Sequence, residues 1–301
     1  MVSPVDLFES GVKILGVLLF CTGSLCAQNT PVINEIQTGG ISLSGDEFIE
    51  LYNSGPCAYD LNGHRVVYRT TAGTSDAFTF VAFTTTSFVP PKGFVLIVGP
   101  QYTGAVSGDI SYSPAALAAA GGGVAIRKGP IDTGTVLDSV GYGTLTTNAF
   151  VETAPAPAPP PGNSIERTPR GVDTNNNSTD FVVTTATPEH GGVNAGFALN
   201  MSGKRIFYRL GKPFTFTVAS FTDSYPGAVA GQFSATINWG DGASSVGVTR
   251  ANQNGGFDVI GTHAYTKLGG WQMVVNLSDC PGGGSATVTN TARLWPRPAS
   301  H

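Results

Sequence analysis

An Asp/Asn-rich segment near the middle of the chain carries the residues best suited to binding a metal ion. The segment DTNNNSTD at 173–180 places side-chain oxygens at alternate positions, as the start of a calcium loop does. The candidate ligands are Asp173, Asn175, Asn177 and Asp180. A complete loop would also have Gly at its sixth position and Glu at its twelfth, which is Thr184 here. Because Asp and Asn also form turns with their own backbone, both a calcium site and a structural turn remain open.

Two glutamates and two isolated histidines are the other side chains suited to acid–base chemistry. Glu47 and Glu50 lie in one predicted strand, where side chains alternate, so their carboxylates point to opposite faces. We therefore expect them at a solvated edge or capping a turn, and not in a shared catalytic pocket. His64 and His190 stand alone, and their spacing predicts no Ser-His-Asp triad. We expect a protein that is not an enzyme and has no cofactor, apart from the calcium considered above.

A Trp-Gly-Asp-Gly turn marks the second half of the chain. Asp241 lies between two glycines, where its carboxylate can accept backbone N–H groups, and Trp239 is expected to pack inward. His263 and Tyr265 are two positions apart, so they share one face of a strand. We expect the imidazole to bond to a neighbouring loop. These four residues are interpreted as a structural turn and core motif, with Asp241 as a metal ligand as the alternative.

The composition combines little charge with many turn-forming residues. Charged residues make up 12% of the 301, about half the usual fraction, and there are 40 Gly and 20 Pro. The hydrophobic fraction of 41% and the mean hydropathy of +0.08 supply material for packed cores. These values disfavour a disordered chain, a coiled coil and a solvated helical bundle.

The formal net charge of −4 is unevenly distributed along the chain. Residues 28–190 hold seven Lys/Arg against fourteen Asp/Glu, a net −7, and 191–301 hold eight against four, a net +4. Neither part has the basic density of a nucleic-acid-binding protein, so nucleic acid is not an expected partner.

Alternating segments rich in Val, Ile, Phe, Tyr and Thr predict short strands separated by tight turns. The predicted strands are 31–37, 47–53, 64–70, 77–84, 93–99, 123–129 and 135–143, then 204–210, 214–223, 231–240, 257–266, 270–279 and 284–295. One short connector helix is predicted between Ser113, as its cap, and Gly121. The predicted fold class is all-β, with two immunoglobulin-like β-sandwich domains in tandem.

The first 27 residues have the layout of an export signal. Lys13 precedes a compact apolar run at 14–20, and Ala27 supplies a small residue for cleavage. The run is too short to cross a membrane as a helix. We therefore expect a secreted, periplasmic or cell-surface protein with no transmembrane span after cleavage.

Signal cleavage would leave two of the four cysteines. Cys21 and Cys26 would be removed, and Cys57 and Cys280 would remain, one in each half. They are either free thiols, inert or partly buried, or partners in a disulfide between the halves, which an oxidising compartment would permit.

The domain boundaries follow from where the strand pattern is interrupted. The Pro/Ala-rich stretch 153–162 resembles a linker, but the following 163–192 is too short for a domain and contains strand-like pieces. We therefore place 153–162 as a loop within a first domain at 28–192. A linker at 193–202, a second domain at 203–296 and a tail at 297–301 complete the prediction.

Five segments of the first half, in order, carry a family resemblance. They are VINEIQ, GDEFIELYNSG, DLNGHRV, VPPKGFVLIVG and GNSIERTPRGVDTNNNSTDFVV, and over about 31–190 they resemble the lamin tail domain of bacterial secreted proteins. The resemblance implies an immunoglobulin-like sandwich that accompanies extracellular hydrolases or other surface modules and has no catalytic activity of its own. The chain departs from the family in its Pro/Ala insertion and in having Gly63-His64 where an aromatic residue is usual.

Three segments of the second half, ATINWGDGASS, GTHAYTKLGGW and VVNLSDCPGGGSATVTNTA, resemble a PKD-type domain of the bacterial extracellular kind. The resemblance covers about 203–295 and implies a second β-sandwich, used as a spacer, adhesion or binding module. Cys280-Pro281 in the last turn is unusual for that family.

The sequence as a whole predicts an exported, non-catalytic adhesion, scaffold or binding protein of the bacterial cell envelope or exterior. Its expected partners are envelope or extracellular proteins or polysaccharides. The alternative is an accessory component of an extracellular hydrolase system that binds glycans or calcium.

Overall fold

The computed structural model describes residues 30–145, 147, 150–191, 198–225, 227–280 and 284–295. The predicted export signal, with Cys21 and Cys26, lies outside these residues. Strands dominate the described parts, and each half has its own hydrophobic core, so the predicted all-β sandwich fold is confirmed. Within the described ranges, no helix has the length and apolar character needed to span a bilayer.

The first half is a sandwich of a six-stranded and a four-stranded sheet, with strand orders β12-β11-β1-β2-β7-β8 and β10-β9-β4-β5 and a separate β3-β6 pair. The strands are β1 (Val32–Thr38), β2 (Glu47–Tyr52), β3 (Tyr59–Asp60), β4 (His64–Thr70), β5 (Phe78–Ala82), β6 (Phe88–Val89), β7 (Phe94–Val98), β8 (Ile110–Ser111), β9 (Gly121–Lys128), β10 (Thr135–Gly143), β11 (Asn163–Arg167) and β12 (Phe181–Thr185). A four-residue helix, α1 (Asn177–Asp180), precedes β12. The Pro/Ala-rich stretch 153–162 connects β10 to β11.

A bulge in β1 sets which side chains enter this core. The β1–β2 register shifts between Ile33 and Glu35, so Ile33 and Ile36 both pack inside although they are three positions apart. Glu35 is turned to the other face of the sheet, where it pairs with Glu50 of β2.

The second half is an eight-stranded sheet that folds over a core built around Trp239, Tyr265 and Met273. Its strand order is β13-β15-β18-β17-β16-β19-β20-β14. The strands are β13 (Leu199–Gly203), β14 (Ile206–Tyr208), β15 (Phe214–Asp223), β16 (Ser234–Asn238), β17 (Ser244–Ala251), β18 (Phe257–His263), β19 (Trp271–Ser278) and β20 (Ser285–Leu294), with a 3₁₀ helix at Ala230–Gln232. The parallel β14–β20 pair closes one edge.

Two strands of this half were not among the predicted ones. β13 overlaps the stretch expected to be a linker and pairs with β15. β17 escaped prediction because its outward residues, Val246 and Val248, are apolar and exposed, while the inward Gly247 is small and buried. A side chain at Gly247 would meet Val259, Ala235 and Ile237 in the core.

The short helix predicted between Ser113 and Gly121 was wrong. The backbone N–H groups of Ala116 and Leu117 donate to the Glu47 carboxylate, at 3.1 Å each, and that of Ala118 donates to the Tyr68 hydroxyl. Because these side chains satisfy the backbone, the segment gains nothing from helical hydrogen bonds and forms an irregular loop instead.

A disulfide joins the two halves. Cys57 and Cys280, expected to be either free or paired, are bonded, with 5.4 Å between their Cα atoms and a separation of 223 positions in sequence. Asn53 shapes the loop that carries Cys57, because its buried amide donates to the carbonyls of Cys57, Val89 and Pro90. The Tyr225 hydroxyl donates to Pro91 O, a second contact between the halves.

We expect the double variant Cys57→Ser/Cys280→Ser to retain two folded halves that no longer unfold together. Each core contains residues of one half only, so each half should lose less than the ~5 kcal/mol that closing so long a loop gives within one cooperative unit. Calorimetry should resolve two transitions, and small-angle scattering should show a larger radius of gyration. Loss of both transitions would contradict the expectation. The wild type in reductant also lacks the disulfide, so it should show the same two transitions as the double variant.

Candidate functional site

The four residues predicted as calcium ligands lie around the short helix α1, and the side chains of Asp173, Asn177 and Asp180 are used by the protein itself. Asp173 Oδ1 accepts the backbone N–H of Asn175, at 2.9 Å, in an Asx turn. Asn177 is fully buried, and its side-chain oxygen accepts two backbone N–H groups, those of Gly141 and Glu152. The Asn177 amide group donates to Ser139 O and Glu152 Oε2. Asn177 thus fastens the segment to β10 and does not offer a free ligand oxygen.

Arg167, at the end of β11, lies between the carboxylates of this region. Its side chain is fully buried, and its guanidinium donates to Asp138 at 3.0 Å, Asp180 at 3.0 Å and Asp173 at 3.2 Å. It also donates to Ile33 O and stacks over the Phe181 ring, 4.7 Å from the ring centroid. The positive charge that a metal ion would bring is therefore already supplied by an arginine.

A second set of oxygens, which sequence reasoning missed, lies beside Arg167. One carboxylate oxygen each of Asp138, Glu152 and Asp173 lie within 4.8 Å of one another. Only Asp173 belongs to the predicted set, because Asp138 and Glu152 come from distant parts of the chain. Both oxygens of Asp138 already accept hydrogen bonds, one from Arg167 and one from the N–H of Ile33. The arrangement is an ion-pair network that is buried at Arg167 and Asp138 and exposed at Asp173, and the calcium prediction stays a prediction.

The motif of the second half is built as a stack around a buried tryptophan. Trp239 is fully buried, and its ring is parallel to that of His263, with 4.7 Å between centroids. His263 Nε2 lies 2.9 Å from Asp241 Oδ2, and the Tyr265 hydroxyl donates to Trp239 O at 2.9 Å. Burial of the Asp241 carboxylate raises its pKa. The hydrogen bonds with His263 and from the Ala243 N–H outweigh this effect, so the pKa of Asp241 lies below its usual value.

Glu47 points into the sandwich, where its carboxylate fastens a loop. It accepts the Tyr112 hydroxyl at 2.5 Å, in addition to the two N–H groups of the irregular loop. The solvated edge considered for Glu47 and Glu50 was wrong, since both are 1% exposed, whereas the capping role describes Glu47. The prediction that they face opposite sides of the strand is confirmed, since Glu47 faces Tyr112 and Glu50 faces Asn34.

Glu35 and Glu50 form a buried acidic pair on the outer face of the six-stranded sheet. They are cross-strand partners, and each is 1% exposed. The segment 187–189 covers them: Thr187 N–H donates to Glu35 at 2.9 Å and Glu189 N–H to Glu50 at 2.6 Å. Ser164 also donates to Glu35, at 2.5 Å. The sequence showed two acidic strand positions but not the bulge that brings them together.

Burial is the main cause of the unusual titration of this pair. It raises the pKa of Glu50 to about 8, and hydrogen bonds from Glu189 and Asn34 oppose this only in part, while the nearby Glu35 raises the pKa further. Burial likewise raises the pKa of Glu35. Paired acids with raised pKa values can exchange protons with a substrate, but here the carboxylates serve as clamps for the segment that covers them.

Thermal melting in calcium and in chelator tests the predicted calcium site. Because Arg167 already occupies the position between Asp138, Asp173 and Asp180, we expect the same Tm for the wild type in both conditions. Arg167→Met should cost about 3–5 kcal/mol, since it leaves buried carboxylates without a cation, and millimolar calcium should restore part of its Tm. Asp173→Asn removes a partly exposed partner of Arg167, so it should lower the Tm less than Arg167→Met does. A Tm increase of the wild type in calcium would favour the calcium site over this interpretation.

Glu50 should make the protein less stable as the pH rises. Its pKa is raised in the folded state, so its contribution is fully present below pH 4.5 and is lost as the pH rises towards about 8. We expect the free energy of unfolding to fall by a few kcal/mol over this range. Glu50→Gln should flatten the profile. Denaturant unfolding at several pH values measures this, and an unchanged slope in Glu50→Gln would contradict it.

Comparisons with known proteins gave a family match within the first half and similar solved structures of low sequence identity. Among solved structures, the PKD domain of an M14-like peptidase from Thermoplasmatales archaeon SCGC AB-540-F20 is 19% identical, with a TM-score of 0.21, over 32% of this chain and 92% of that chain. A D1–D4 ectodomain fragment of ICAM-5 is 10% identical, with a TM-score of 0.25, over 88% of this chain and 50% of that one. No curated protein matches the chain. Residues 26–144 match the family model of the Lamin Tail Domain, which supports the resemblance of the first half to that family.

Proposed function

We propose that this protein is an exported, non-catalytic scaffold or binding protein that works at the cell envelope or outside the cell. The observation that carries the proposal is the Cys57–Cys280 disulfide between the halves. Disulfides form and persist in oxidising compartments and are rare in the cytosol. A covalent bond between two separately packed sandwiches also fixes their relative position, which is useful to a protein that presents surfaces to partners.

The placement of the acidic side chains supports a non-catalytic role. Glu35, Glu47 and Glu50 have pKa values raised by burial, which is common at active sites. All three, however, accept hydrogen bonds from neighbouring loops, so their carboxylates hold structure in place. Binding surfaces of such a protein would lie on its loops and exposed strand faces, since β-sandwiches present partners there.

The proposed location agrees with the layout of the first 27 residues, which predicts cleavage after Ala27. Envelope proteins or extracellular polysaccharides are the partners that fit this location. The Lamin Tail Domain match over 26–144 fits a modular, non-catalytic protein.

Expression of the full chain in a bacterium, with and without residues 1–27, tests export and oxidation together. We expect the full chain in the periplasmic or extracellular fraction, starting at Gln28, with no thiol that reacts with a maleimide reagent in the denatured protein unless reductant is added. The chain without 1–27 should stay in the cytoplasm, and both of its thiols should react once it is denatured, since both are buried in the folded protein. On non-reducing gels, the oxidised full chain should migrate differently from Cys57→Ser, which cannot form the disulfide and serves as the control. A full chain that remains cytoplasmic with free thiols would overturn the proposal.

A further inference from the structure

An aromatic cleft of about 220 Å³ lies on the second sandwich, beside β14, β15 and the end of β20. Phe207 and Trp295 form an edge-to-face pair there, with 5.8 Å between centroids, and are 38% and 52% exposed. Phe216 is 43% exposed and packs against Phe214, with 5.4 Å between centroids. Keeping three large aromatic faces in water is unfavourable, and such clusters mark binding surfaces.

The same cleft is positively charged. Arg209 and Lys212 line it, and no Asp or Glu does. Both cations are exposed, and within the described residues neither forms an ion pair. The half of the chain from 191 to 301 has a net charge of +4, from eight Lys/Arg against four Asp/Glu. The charge complement of this cleft is therefore an anion.

A larger depression of about 880 Å³ adjoins the cleft, and Phe216 lines both. Its lining mixes apolar surface, from Met201, Phe216 and Phe221, with amide and hydroxyl side chains, which are Asn200, Ser202, Thr217, Ser220, Thr222, Asn252 and Asn254. Lys204 adds a third cation. The acid in this depression, Asp258, accepts hydrogen bonds from Ser220 and Asn252. The cleft and the depression thus share Phe216, and the lining changes from mainly aromatic and basic groups in the cleft to a mixture with many amide and hydroxyl groups in the depression.

We propose that the cleft and the depression form one groove that binds an acidic polysaccharide, a chain of uronic acid residues. The apolar C–H face of a pyranose ring packs on Trp295 or Phe207, and sugar carboxylates bind Arg209 and Lys212. Hydroxyl groups of the following residues pair with the amide side chains of the depression. A neutral glycan would leave the cations unused, and an acidic peptide without ring side chains, such as polyglutamate, would offer no ring face to Trp295 or Phe207. This inference deepens the proposed function by naming the partner class of the binding surface.

The test uses the oxidised mature chain and polygalacturonate as the probe, in affinity electrophoresis and calorimetry at low ionic strength. We expect Arg209→Gln/Lys212→Gln to weaken binding about tenfold or more, because it removes the charge-assisted contacts. Trp295→Ala should weaken it severalfold without changing the net charge. Lys128→Gln/Lys267→Gln removes the same amount of charge outside the groove and is the control for the charge variant. Leu268→Ala removes a 67% exposed apolar side chain outside the groove and is the control for Trp295→Ala. Both controls should bind as the wild type does.

Raising the salt concentration should weaken wild-type binding, since exposed charges are screened. Absence of binding at low salt would overturn the proposal. Equal affinity for polyglutamate, with no effect of Trp295→Ala, would also overturn it in favour of unspecific attraction to anions. The purified protein is used here, so failure of export or oxidation in cells would contradict the proposed function without affecting this result.

Discussion

One buried guanidinium holds the two sheets of the first sandwich together. Arg167 extends from β11 of the six-stranded sheet to Asp138 on β10 of the other, and Asp138 in turn accepts the N–H of Ile33 on β1. A charge inside a protein is tolerated when it is paired and hydrogen-bonded. This explains why the Asp/Asn-rich segment resembles the start of a metal loop: its carboxylates converge on a cation, but that cation is a side chain of the same protein.

Many acidic residues of the first half are buried and serve as hydrogen-bond acceptors inside the sandwich. Of the fourteen acidic residues between 28 and 190, six are buried: Glu35, Glu47, Glu50, Asp76, Asp138 and Asp180. Each accepts hydrogen bonds from donors in other elements. In a sandwich with long loops, these carboxylates satisfy backbone N–H groups that no strand neighbour reaches. The first half therefore uses its acids as internal fasteners, and its surface is less acidic than its composition indicates.

In the second half, aromatic rings and tight turns, and not buried carboxylates, hold the loops against the core. The Trp239 ring lies between the core and His263, and Gly240 and Gly242 adopt positive φ values of 83° and 98° that allow the turn carrying Asp241. A side chain at Gly240 would also collide with Gln272 O. Because few charges are buried in this core, the basic residues remain on the surface, beside the exposed aromatic rings of the groove.

The sequence by itself determined the all-β class and most strands, because apolar residues alternate with polar ones and turn residues separate them. It also indicated the Trp239 turn and the opposite faces of Glu47 and Glu50, which depend only on neighbouring positions. The tertiary structure alone decided the partners of distant groups. Arg167 forms an ion pair with Asp138, Cys57 forms a disulfide with Cys280, and a one-residue bulge places Glu35 beside Glu50. Local sequence patterns carry no information on these contacts, because the contacts depend on how whole sheets pack.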